Sequence, residues 1–378
     1  MFKSGSIISL ALLLSLAGCM AAPSETLVTT ESGEHAADTP ITPEPTGDID
    51  QDALIEAAGM ESETTAETSD ETTAETTRGY ETFTISFIGD LTLCSDIRGG
   101  HSARSFGNVV NGDMDYCFQN CTDILSSDDL TIANLEGAVT TRRSHKDKQF
   151  AFAMPPENLQ MLVNAGIEAV NLANNHTLDF FEAGYQDTKD NLDEYGIVWS
   201  DQETSATYQI GDYLIGMYGI CDWDNANSAY RRIEELQGKG CDIIIATCHW
   251  GTEATYSPNS KQIYLAHQLI DRGTDIVIGG HPHRLQPIEK YNGKWIAYSI
   301  SNFCFGGNLG LSDPDTVILQ CEFVMDADTG NCVDYRLNAI PFSQTTTSGN
   351  DFCPKPYEWG SERYYRVLKR LGWSDEDE

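Results

Sequence analysis

Short apolar runs alternate with helical patterns from residue 83 onward. Residues 83–88 read Phe-Thr-Ile-Ser-Phe-Ile, an alternating and then continuous apolar pattern that predicts a buried strand. Residues 155–165 predict a helix, because proline stands near its start and Gly166 lies just past its end. The same patterns predict strands at 130–134, 169–173, 197, 242–247 and 275–278, and helices at 182–195, 259–272 and near 360–371.

Two hairpins are predicted in addition to the strand and helix alternation. One turns at Gly211-Asp212, and the other turns at residues 328–331 between apolar segments at 316–324 and 332–339. Alternating strands and helices are typical of an α/β sheet protein, and paired late strands make part of the sheet antiparallel. The pattern therefore predicts a layered α/β domain with mixed sheets.

Polar side chains follow nearly every predicted strand. The ligand-like residues at these ends are Asp90, Asn134, Glu136, Asn174, Asn175, His176, His249, His281 and His283. In open α/β sheets the carboxyl ends of the strands converge on one edge, where ligands bind. Five strand ends are therefore predicted to meet at one site.

The chemistry of these residues indicates a metal site. Carboxylate, amide and imidazole groups together suit a borderline divalent ion such as Mn, Fe or Zn. His281 and His283 are two residues apart, so an extended backbone would project both imidazoles to the same side. The alternative is a structural hydrogen-bonding role for each histidine, but four histidines that each follow an apolar strand favour ligation.

Other catalytic arrangements fit the sequence less well. Cys248 directly precedes His249 on a predicted strand, so their side chains point to opposite faces, which disfavours a cysteine nucleophile. Ser299 and Ser301 lack the Gly-x-Ser-x-Gly pattern of α/β-hydrolases.

The first nineteen residues predict export with a lipid anchor. Lys3 precedes an apolar stretch that ends in Leu16-Ala-Gly-Cys19, which resembles a bacterial lipobox with Cys19 as the lipidated residue. The stretch is too short for a bilayer span, which needs roughly twenty residues. The alternative is ordinary secretory cleavage without a lipid. Residues 20–79 are rich in Thr and Glu and predict a disordered acidic linker.

The net charge limits the classes of molecule that the protein could bind, and the cysteine content bears on disulfide formation. A net charge of -35 argues against nucleic acid as a partner, because nucleic-acid binding draws on Lys and Arg. Export permits disulfides among the cysteines without requiring them, and buried free thiols are an equal alternative. No pairing is predicted.

Six motifs in order carry a family resemblance. They are Gly89-Asp90, Asn134-Leu-Glu136, Asn171-Leu-Ala-Asn-Asn-His-Thr-Leu-Asp179, His249-Trp-Gly-Thr-Glu253, Gly280-His-Pro-His-Arg-Leu-Gln286 and Tyr298-Ser-Ile-Ser-Asn-Phe303. Together they resemble the bacterial CapA capsule-synthesis family, tied to poly-γ-glutamate, whose fold is similar to the calcineurin-like metallophosphoesterases. The resemblance covers residues 80–345 and implies a four-layer α/β/β/α sandwich, followed by a C-terminal extension at 346–378.

The resemblance also implies a role for each site residue. It gives Asp90 and Asn175 as metal ligands and Glu136 as the carboxylate that bridges two ions. It assigns His249 and His281 to one ion and His283 to the other. His176 would protonate the leaving group, with Asp179 orienting its imidazole, although a solvated carboxylate at a helix start is an alternative for Asp179.

One departure from the phosphoesterase pattern leaves the ion count open. Thr92 stands where the first motif usually has histidine, so a single ion, or one tight and one loose ion, is an alternative to a full pair.

The function implied by the resemblance is a metal-dependent, phosphoesterase-like hydrolase serving poly-γ-glutamate synthesis or export. Its expected substrate is an anionic polymer or a phosphoester, and its expected location is the extracellular face of the membrane, lipid-anchored, alongside a membrane capsule-synthesis complex. The alternative is a non-catalytic surface component that binds the polymer or partner proteins. Local basic residues that could aid polymer binding are Arg142, Arg143, Lys146 and Lys148.

Overall fold

The computed structural model of the protein describes residues 79–99, 102–221 and 226–373. The predicted leader with Cys19 and the predicted linker up to residue 78 lie outside these ranges. Among the helices in these ranges, none has the length and apolar character needed to cross a membrane.

The strands of the described chain are β1 (Tyr80–Thr92), β2 (Leu130–Leu135), β3 (Ala138–Val139), β4 (Ala153–Met154), β5 (Ala169–Asn171), β6 (Val198–Ser200), β7 (Ala206–Ile210), β8 (Tyr213–Cys221), β9 (Ile243–His249), β10 (Ile276–Gly280), β11 (Leu285–Tyr291), β12 (Lys294–Ile300), β13 (Asn302–Phe305), β14 (Asp315–Asp326), β15 (Cys332–Ser343) and β16 (Lys355–Pro356). The helices are α1 (Phe106–Val110), α2 (Thr122–Leu125), α3 (Gln160–Ala165), α4 (Phe181–Tyr195), α5 (Ala226–Gly238), α6 (Ser260–Asp271) and α7 (Glu362–Leu371), with a 3₁₀ helix at Pro156–Leu159.

Two large mixed sheets organise the described residues. The eight-stranded sheet has the order β16-β15-β14-β1-β2-β5-β6, with β13 pairing with the end of β1. The six-stranded sheet has the order β11-β12-β10-β9-β8-β7. Strands β1, β2, β5 and β6 are parallel to their neighbours in that group, whereas β14 and β15 are antiparallel. The prediction of mixed sheets is confirmed.

Three apolar clusters separate four layers. The first lies between the eight-stranded sheet and helices α1–α4 and includes Leu91 and Leu192. The second lies between the two sheets, where Ile85 and Phe87 of one sheet meet Ile245 of the other. The third packs α5 and α6 on the outer face of the six-stranded sheet. These clusters confirm the α/β/β/α sandwich.

The central strands are apolar on both faces because both faces are covered. All seven residues of β9 and all six of β2 are buried, as expected for parallel strands in an interior layer. Local signals set the helix ends: Asn259 and Gln262 form a capping box at the start of α6. Gly166 and Gly196 adopt left-handed conformations with φ of 74° and 71° at the ends of α3 and α4.

Strand β1 is longer than the predicted segment at 83–88. It continues to Thr92 because, after an irregularity near Asp90, it pairs in parallel with β13. Asp90 therefore lies within a strand and not beyond its end. This pairing joins residues more than two hundred positions apart, so local periodicity does not reveal it.

Candidate metal centre between the two sheets

The predicted site residues come together where strands of both sheets end. Asp90 lies in β1 of the eight-stranded sheet, while His249 ends β9 of the six-stranded sheet. The expectation that one sheet edge supplies the whole site is therefore wrong. Gly280 marks how closely the sheets approach, since a Cβ added there would lie 2.5 Å from Asp90 Oδ1.

Asp90 is fully buried and held on both oxygens. Asn134 Nδ2 donates to its Oδ1 at 2.8 Å, and the backbone N–H of His281 donates to its Oδ2 at 3.1 Å. Burial alone would raise the pKa of Asp90, but the adjacent His283 and the charge of His249 outweigh it and lower the pKa to about 2. Asp90 is therefore an ionised carboxylate with a fixed orientation.

Asn134 is the hub of this polar network. Its Nδ2 also lies 3.2 Å from His249 Nδ1, and its Oδ1 accepts hydrogen bonds from the side chains of Asn171 and Asn174 at 2.9 and 3.2 Å. An amide with both ends engaged fixes the ring of His249 with Nδ1 accepting. In this tautomer Nε2 carries the proton and is directed toward Asn175 Oδ1 at 2.9 Å. Ligation of an ion through Nε2 requires the other tautomer, with the proton on Nδ1.

Glu136 is the most unusual group in the site. Its side chain is fully buried, and neither carboxylate oxygen has a hydrogen-bond partner among the described residues. Its Oε1 lies 3.6 Å from His176 Nε2 and 3.8 Å from His249 Nε2. Burial, followed by the charge of Asp90, raises the pKa of Glu136 to about 8. Such a carboxylate requires a cation or a proton to offset the cost of its burial.

His176 is oriented by Asp179, as the sequence suggested. The Nδ1 atom lies 2.7 Å from Asp179 Oδ2, and we assign the proton to Nδ1 because an ionised carboxylate only accepts. Asp179 is fully buried, so the alternative of a solvated carboxylate is wrong. Lys148 Nζ donates to Asp179 Oδ1 at 2.7 Å. Burial would raise the pKa of Asp179, but the His176 hydrogen bond and Lys148 lower it.

His249 is in direct contact with two other predicted ligands. His249 Nε2 is 2.9 Å from Asn175 Oδ1 and 3.1 Å from His281 Nδ1. Burial, together with the charge of His281, holds the pKa of His249 well below its usual value despite the opposing effect of Asp90. His249 is therefore neutral at physiological pH, which is the form that ligates a metal ion.

His281 and His283 do not lie on an extended backbone, so that expectation is wrong. Their φ angles are 88° and 52°, in the left-handed region that non-glycine residues rarely adopt. Both residues lie in the loop that follows β10, where the His281 N–H donates to Asp90 Oδ2. The two rings nevertheless both face the site, with centroids 6.0 Å apart. Backbone strain of this kind is typical of functional sites.

His283 connects Asp90 to the loop at β13. Its Nδ1 lies 2.6 Å from Asn302 Oδ1 and 3.6 Å from Asp90 Oδ2. Burial alone would lower the pKa of His283, but Asp90 and Glu136 outweigh it and raise the pKa to about 9. Asn302 thus fixes the orientation of this imidazole from outside the predicted ligand set.

The possible ligand atoms fall into two compact sets within the described residues. One set is Asp90, Glu136 and His249, and the other is Glu253, His281 and His283; the atoms of each set lie within 4.8 Å of one another. The resemblance assigned His281 to the ion of His249, and the 3.1 Å contact between these rings keeps that arrangement open. Glu253 is a candidate ligand without an assigned role in the sequence interpretation.

These donor sets fit a divalent cation. Three carboxylates and three imidazoles make up the two sets, the amide oxygen of Asn175 lies beside them, and the unpartnered Glu136 carboxylate needs a positive partner. The mixture of oxygen and imidazole donors, without a thiolate in either set, suits Mn, Fe or Zn better than calcium. The geometry therefore agrees with the predicted metal chemistry and does not identify the ion.

Comparison with known proteins places the chain in a family. A model of the family described as "Bacterial capsule synthesis protein PGA_cap" matches residues 84–307, more than half of the chain. The chain belongs to this family. This confirms the resemblance carried by the six motifs, all of which fall within the matched residues.

Two relatives in this capsule synthesis family come from Bacillus. The chain is 30% identical to the PGA biosynthesis protein CapA of Bacillus subtilis over 246 residues, covering 58% of this chain and 62% of that protein. It is 26% identical to the capsule biosynthesis protein CapA of Bacillus anthracis over 325 residues, covering 76% of each chain. The chain thus spans less than two thirds of the Bacillus subtilis protein.

Solved structures with related folds are more distant. A phosphatase from Mycoplasma pneumoniae has a TM-score of 0.42 and 15% identity, covering 70% of this chain and 95% of that chain. A Thermus thermophilus protein, TT1561, has a TM-score of 0.39 and 12% identity, covering 68% and 98%. Both TM-scores lie below 0.5.

Thr92, the departure from the phosphoesterase pattern, has a structural role. Its hydroxyl donates to the backbone carbonyl of Glu136 at 2.9 Å, and its side chain is fully buried. The hydroxyl therefore fixes the backbone that carries Glu136. Thr92 supplies no imidazole to the site. Glu253 is an additional carboxylate donor, beside His281 and His283.

Several residues of the site have structural contacts that the sequence does not predict. Asn134 was named as a strand-end residue, but its contacts with three elements depend on the packing of the sheets. Glu253 lies four residues beyond β9, and Asn302 begins β13. Lys148 is one of the local basic residues that the sequence offers for polymer binding, and its ammonium group contacts Asp179. Position within an ordered motif is the sequence signal for Asn134, Glu253 and Asn302, and Asn134 is also marked by its position at the end of a predicted strand.

The site makes the metal-free protein sensitive to alkaline pH. The folded protein holds a proton on Glu136 up to about pH 8 and on His283 up to about pH 9. The unfolded chain releases these protons near pH 4.5 and 6.5, so the free energy of unfolding falls as pH rises from 7 to 8.5. Thermal denaturation after chelation should show a lower melting temperature at pH 8.5. Excess Mn²⁺ should reduce this decrease, and a melting temperature that is flat or rising would contradict the prediction.

Proposed function

We propose that this protein is a metal-dependent hydrolase of the phosphoesterase type that acts in poly-γ-glutamate capsule synthesis or export. The observation that carries the proposal is the buried, unpartnered Glu136 carboxylate, which faces Asp90, His176 and His249. A polar set of this kind is costly to bury, and a divalent ion offsets that cost. The names of the Bacillus relatives support the capsule role.

The residues that would hold the ion or ions are Asp90, Glu136, Asn175, His249, His281 and His283, with Glu253 at the edge. A bound divalent ion lowers the pKa of water and polarises a phosphoryl or carbonyl oxygen. His176 presents Nε2 toward the same space as Glu136, at 3.6 Å from its Oε1. With Nδ1–H held by Asp179, Nε2 carries a proton only in the imidazolium form, and in that form it is placed to donate a proton to a leaving oxygen.

The proposed substrate is an anionic polymer or a phosphoester, and the proposed location is the outer face of the cell membrane. The leader ending in Cys19 supports a lipid anchor, which would hold the domain near a membrane capsule-synthesis complex. Fractionation of the producing cell tests the location, since recovery in the cytosol alone would contradict it.

A second candidate function is a non-catalytic surface component that binds the polymer or partner proteins. Thr92 favours it, because its hydroxyl donates to a backbone carbonyl at the position where an imidazole ligand was expected. This candidate keeps the ion as a structural or polymer-binding element and requires no proton donor. His176 therefore distinguishes the two functions.

The test compares two histidine variants of the purified protein. Metal content is measured by elemental analysis, and hydrolysis is measured on a chromogenic phosphoester and on poly-γ-glutamate. We expect His176→Ala to lower turnover by about 100-fold or more with its metal content retained, since general acid catalysis contributes about 10²–10⁴-fold. His267→Ala is the matched control, because His267 contacts Glu289 and Tyr291 instead of the site residues.

Two outcomes would overturn the hydrolase proposal. The first is wild-type protein that binds no Mn, Fe or Zn. The second is metal-loaded protein that hydrolyses neither substrate, which would favour the polymer-binding function. Equal activity in His176→Ala and the wild type would remove the assigned role of His176 while leaving the metal site intact.

A further inference from the structure

The C-terminal helix α7 is anchored to the domain by two arginines one turn apart. Arg366 forms two hydrogen bonds to Asp315, at 2.8 and 2.6 Å. Arg370 Nη1 donates to both oxygens of Asp313, at 2.9 and 2.8 Å, and also to Asp315. Asp313 and Asp315 are both buried, with 7% and 1% of their surface exposed. Two buried carboxylates therefore receive their cationic partners mainly from helix α7.

Asp313 extends this contact beyond the helix. The hydroxyl of Tyr256 donates to Asp313 Oδ2 at 2.8 Å, and Arg284 Nε lies 4.0 Å from the same oxygen. The guanidinium of Arg370 also lies 4.9 Å from the centroid of the Tyr256 ring. Asp313 thus joins helix α7 to two separate loops.

Both loops carry candidate metal ligands. Tyr256 lies three residues after Glu253, in the loop that follows β9. Arg284 directly follows His283, and its Nη1 donates to the His283 carbonyl at 2.6 Å. A further backbone hydrogen bond, from Ala254 N to Pro282 O at 2.8 Å, ties the two loops together. A continuous series of direct contacts therefore leads from Arg370 to the set Glu253, His281 and His283.

The loops have a backbone conformation that needs such support. Ala254, His281 and His283 have φ angles of 60°, 88° and 52°, all in the left-handed region. A non-glycine residue in this region costs on the order of 1 kcal/mol or more, and it persists when surrounding contacts hold it. Asp313 contacts both loops through Tyr256 and Arg284, on the side of the loops that faces helix α7. These contacts are placed to hold Ala254, His281 and His283 in this conformation.

We propose that Arg370 is a positioning residue for the cation set Glu253, His281 and His283, acting through Asp313 on Tyr256 and Arg284. The inference rests on the metal binding of the proposed function. The family match ends at residue 307, so both Asp313 and helix α7 lie beyond the matched region. The extension predicted from the sequence is, on this proposal, part of the support of the site.

The experiment measures Mn²⁺ binding to the full purified chain by calorimetry. We expect Arg370→Gln to weaken binding of one ion by about tenfold, the lower end of the effect of outer-shell partners on metal affinity. Arg366→Gln is the matched control, because Arg366 lies on the same helix and bonds to Asp315 alone. Both variants lose ion pairs and should melt at lower temperatures, but the control should retain Mn²⁺ affinity within twofold.

Two further variants separate positioning from general destabilisation. Tyr256→Phe removes the hydrogen bond to Asp313 without touching the helix and should weaken the same ion. Arg370→Lys keeps a positive charge next to Asp313 and should recover part of the affinity. If Arg370→Gln does not fold, these two variants carry the test.

The outcomes distinguish this inference from the proposed function. Wild-type affinity in Arg370→Gln and Tyr256→Phe overturns the positioning role and leaves the metal-binding proposal standing. Equal weakening in Arg366→Gln also overturns it, because general anchoring of the helix would then be sufficient. A wild-type chain that binds no ion overturns both the inference and the metal part of the proposed function.

Discussion

Replacing Glu136 by glutamine is expected to weaken Mn²⁺ binding by at least about 100-fold while making the metal-free protein more stable above pH 8. The first effect follows because Glu136 is itself a candidate ligand. Mutating a residue that only hydrogen-bonds to a ligand already lowers metal affinity by about 10–100-fold. The second follows because the wild-type carboxylate is buried without a hydrogen-bond partner. A single substitution should therefore move metal affinity and stability in opposite directions.

The size of the stability gain follows from two opposing costs. Ionising Glu136 in the folded protein is unfavourable, since its pKa is raised to about 8, and each unit is worth about 1.4 kcal/mol. The buried amide of glutamine would also lack a partner, at a cost of about 1–3 kcal/mol. The difference leaves a net gain of about 1–3 kcal/mol in the free energy of unfolding at pH 8.5, which shrinks at pH 6.

Calorimetry with Mn²⁺ and denaturant unfolding after chelation measure the two effects. Glu157→Gln is the matched control, since it removes the same charge from a residue that is exposed and belongs to neither set of candidate ligands. The variant should also show a smaller loss of stability between pH 7 and 8.5 than the wild type. Normal Mn²⁺ binding by Glu136→Gln would contradict the role of Glu136 as a ligand. A variant less stable than the wild type at pH 8.5 would contradict the cost of burying an unpartnered carboxylate.

Local periodicity was sufficient to predict most elements, but not how they meet. The strand ends at Asn134 and His249 were identified because apolar runs stop there. The expectation that they converge at one sheet edge was wrong, because β2 and β9 belong to different sheets that pack against each other. The four-layer arrangement came from the family resemblance. Periodicity reports which face of a strand is buried, and both faces are buried in these central strands.

The candidate ligands were predictable to the extent that they belong to ordered motifs. Asp90, Glu136, Asn175, His249, His281 and His283 all face one site. The backbone at His281, with a φ of 88°, was not predictable, because its N–H donates to Asp90 Oδ2 at the close approach of Gly280 to Asp90, 191 positions away in the chain. Glu253 was not assigned a role, since its position depends on a hydrogen bond between two loops, Ala254 N to Pro282 O. Non-local contacts thus set the geometry that spacing alone leaves open.

That contact between Gly280 and Asp90 leads to the second large effect. Gly280→Ala should weaken Mn²⁺ binding by at least about tenfold and lower the free energy of unfolding by about 1–3 kcal/mol, as overpacking typically does. An added Cβ would lie 2.5 Å from Asp90 Oδ1 and 3.4 Å from its Cγ. Asp90 has little freedom to move away, because Asn134 Nδ2 and the His281 N–H hold its two oxygens.

The location of the clash determines whether metal affinity or stability is reduced more. All three of the nearest atoms to the new Cβ belong to the Asp90 side chain, so the strain falls on a candidate ligand before it reaches the backbone of β1. Gly310→Ala is the matched control, since no heavy atom lies within 4 Å of a Cβ added there. The control should bind Mn²⁺ normally and unfold at or slightly above the wild-type midpoint. Wild-type affinity in Gly280→Ala would show that Asp90 can leave its observed position without loss of the ion, and would remove Asp90 from the ligand set.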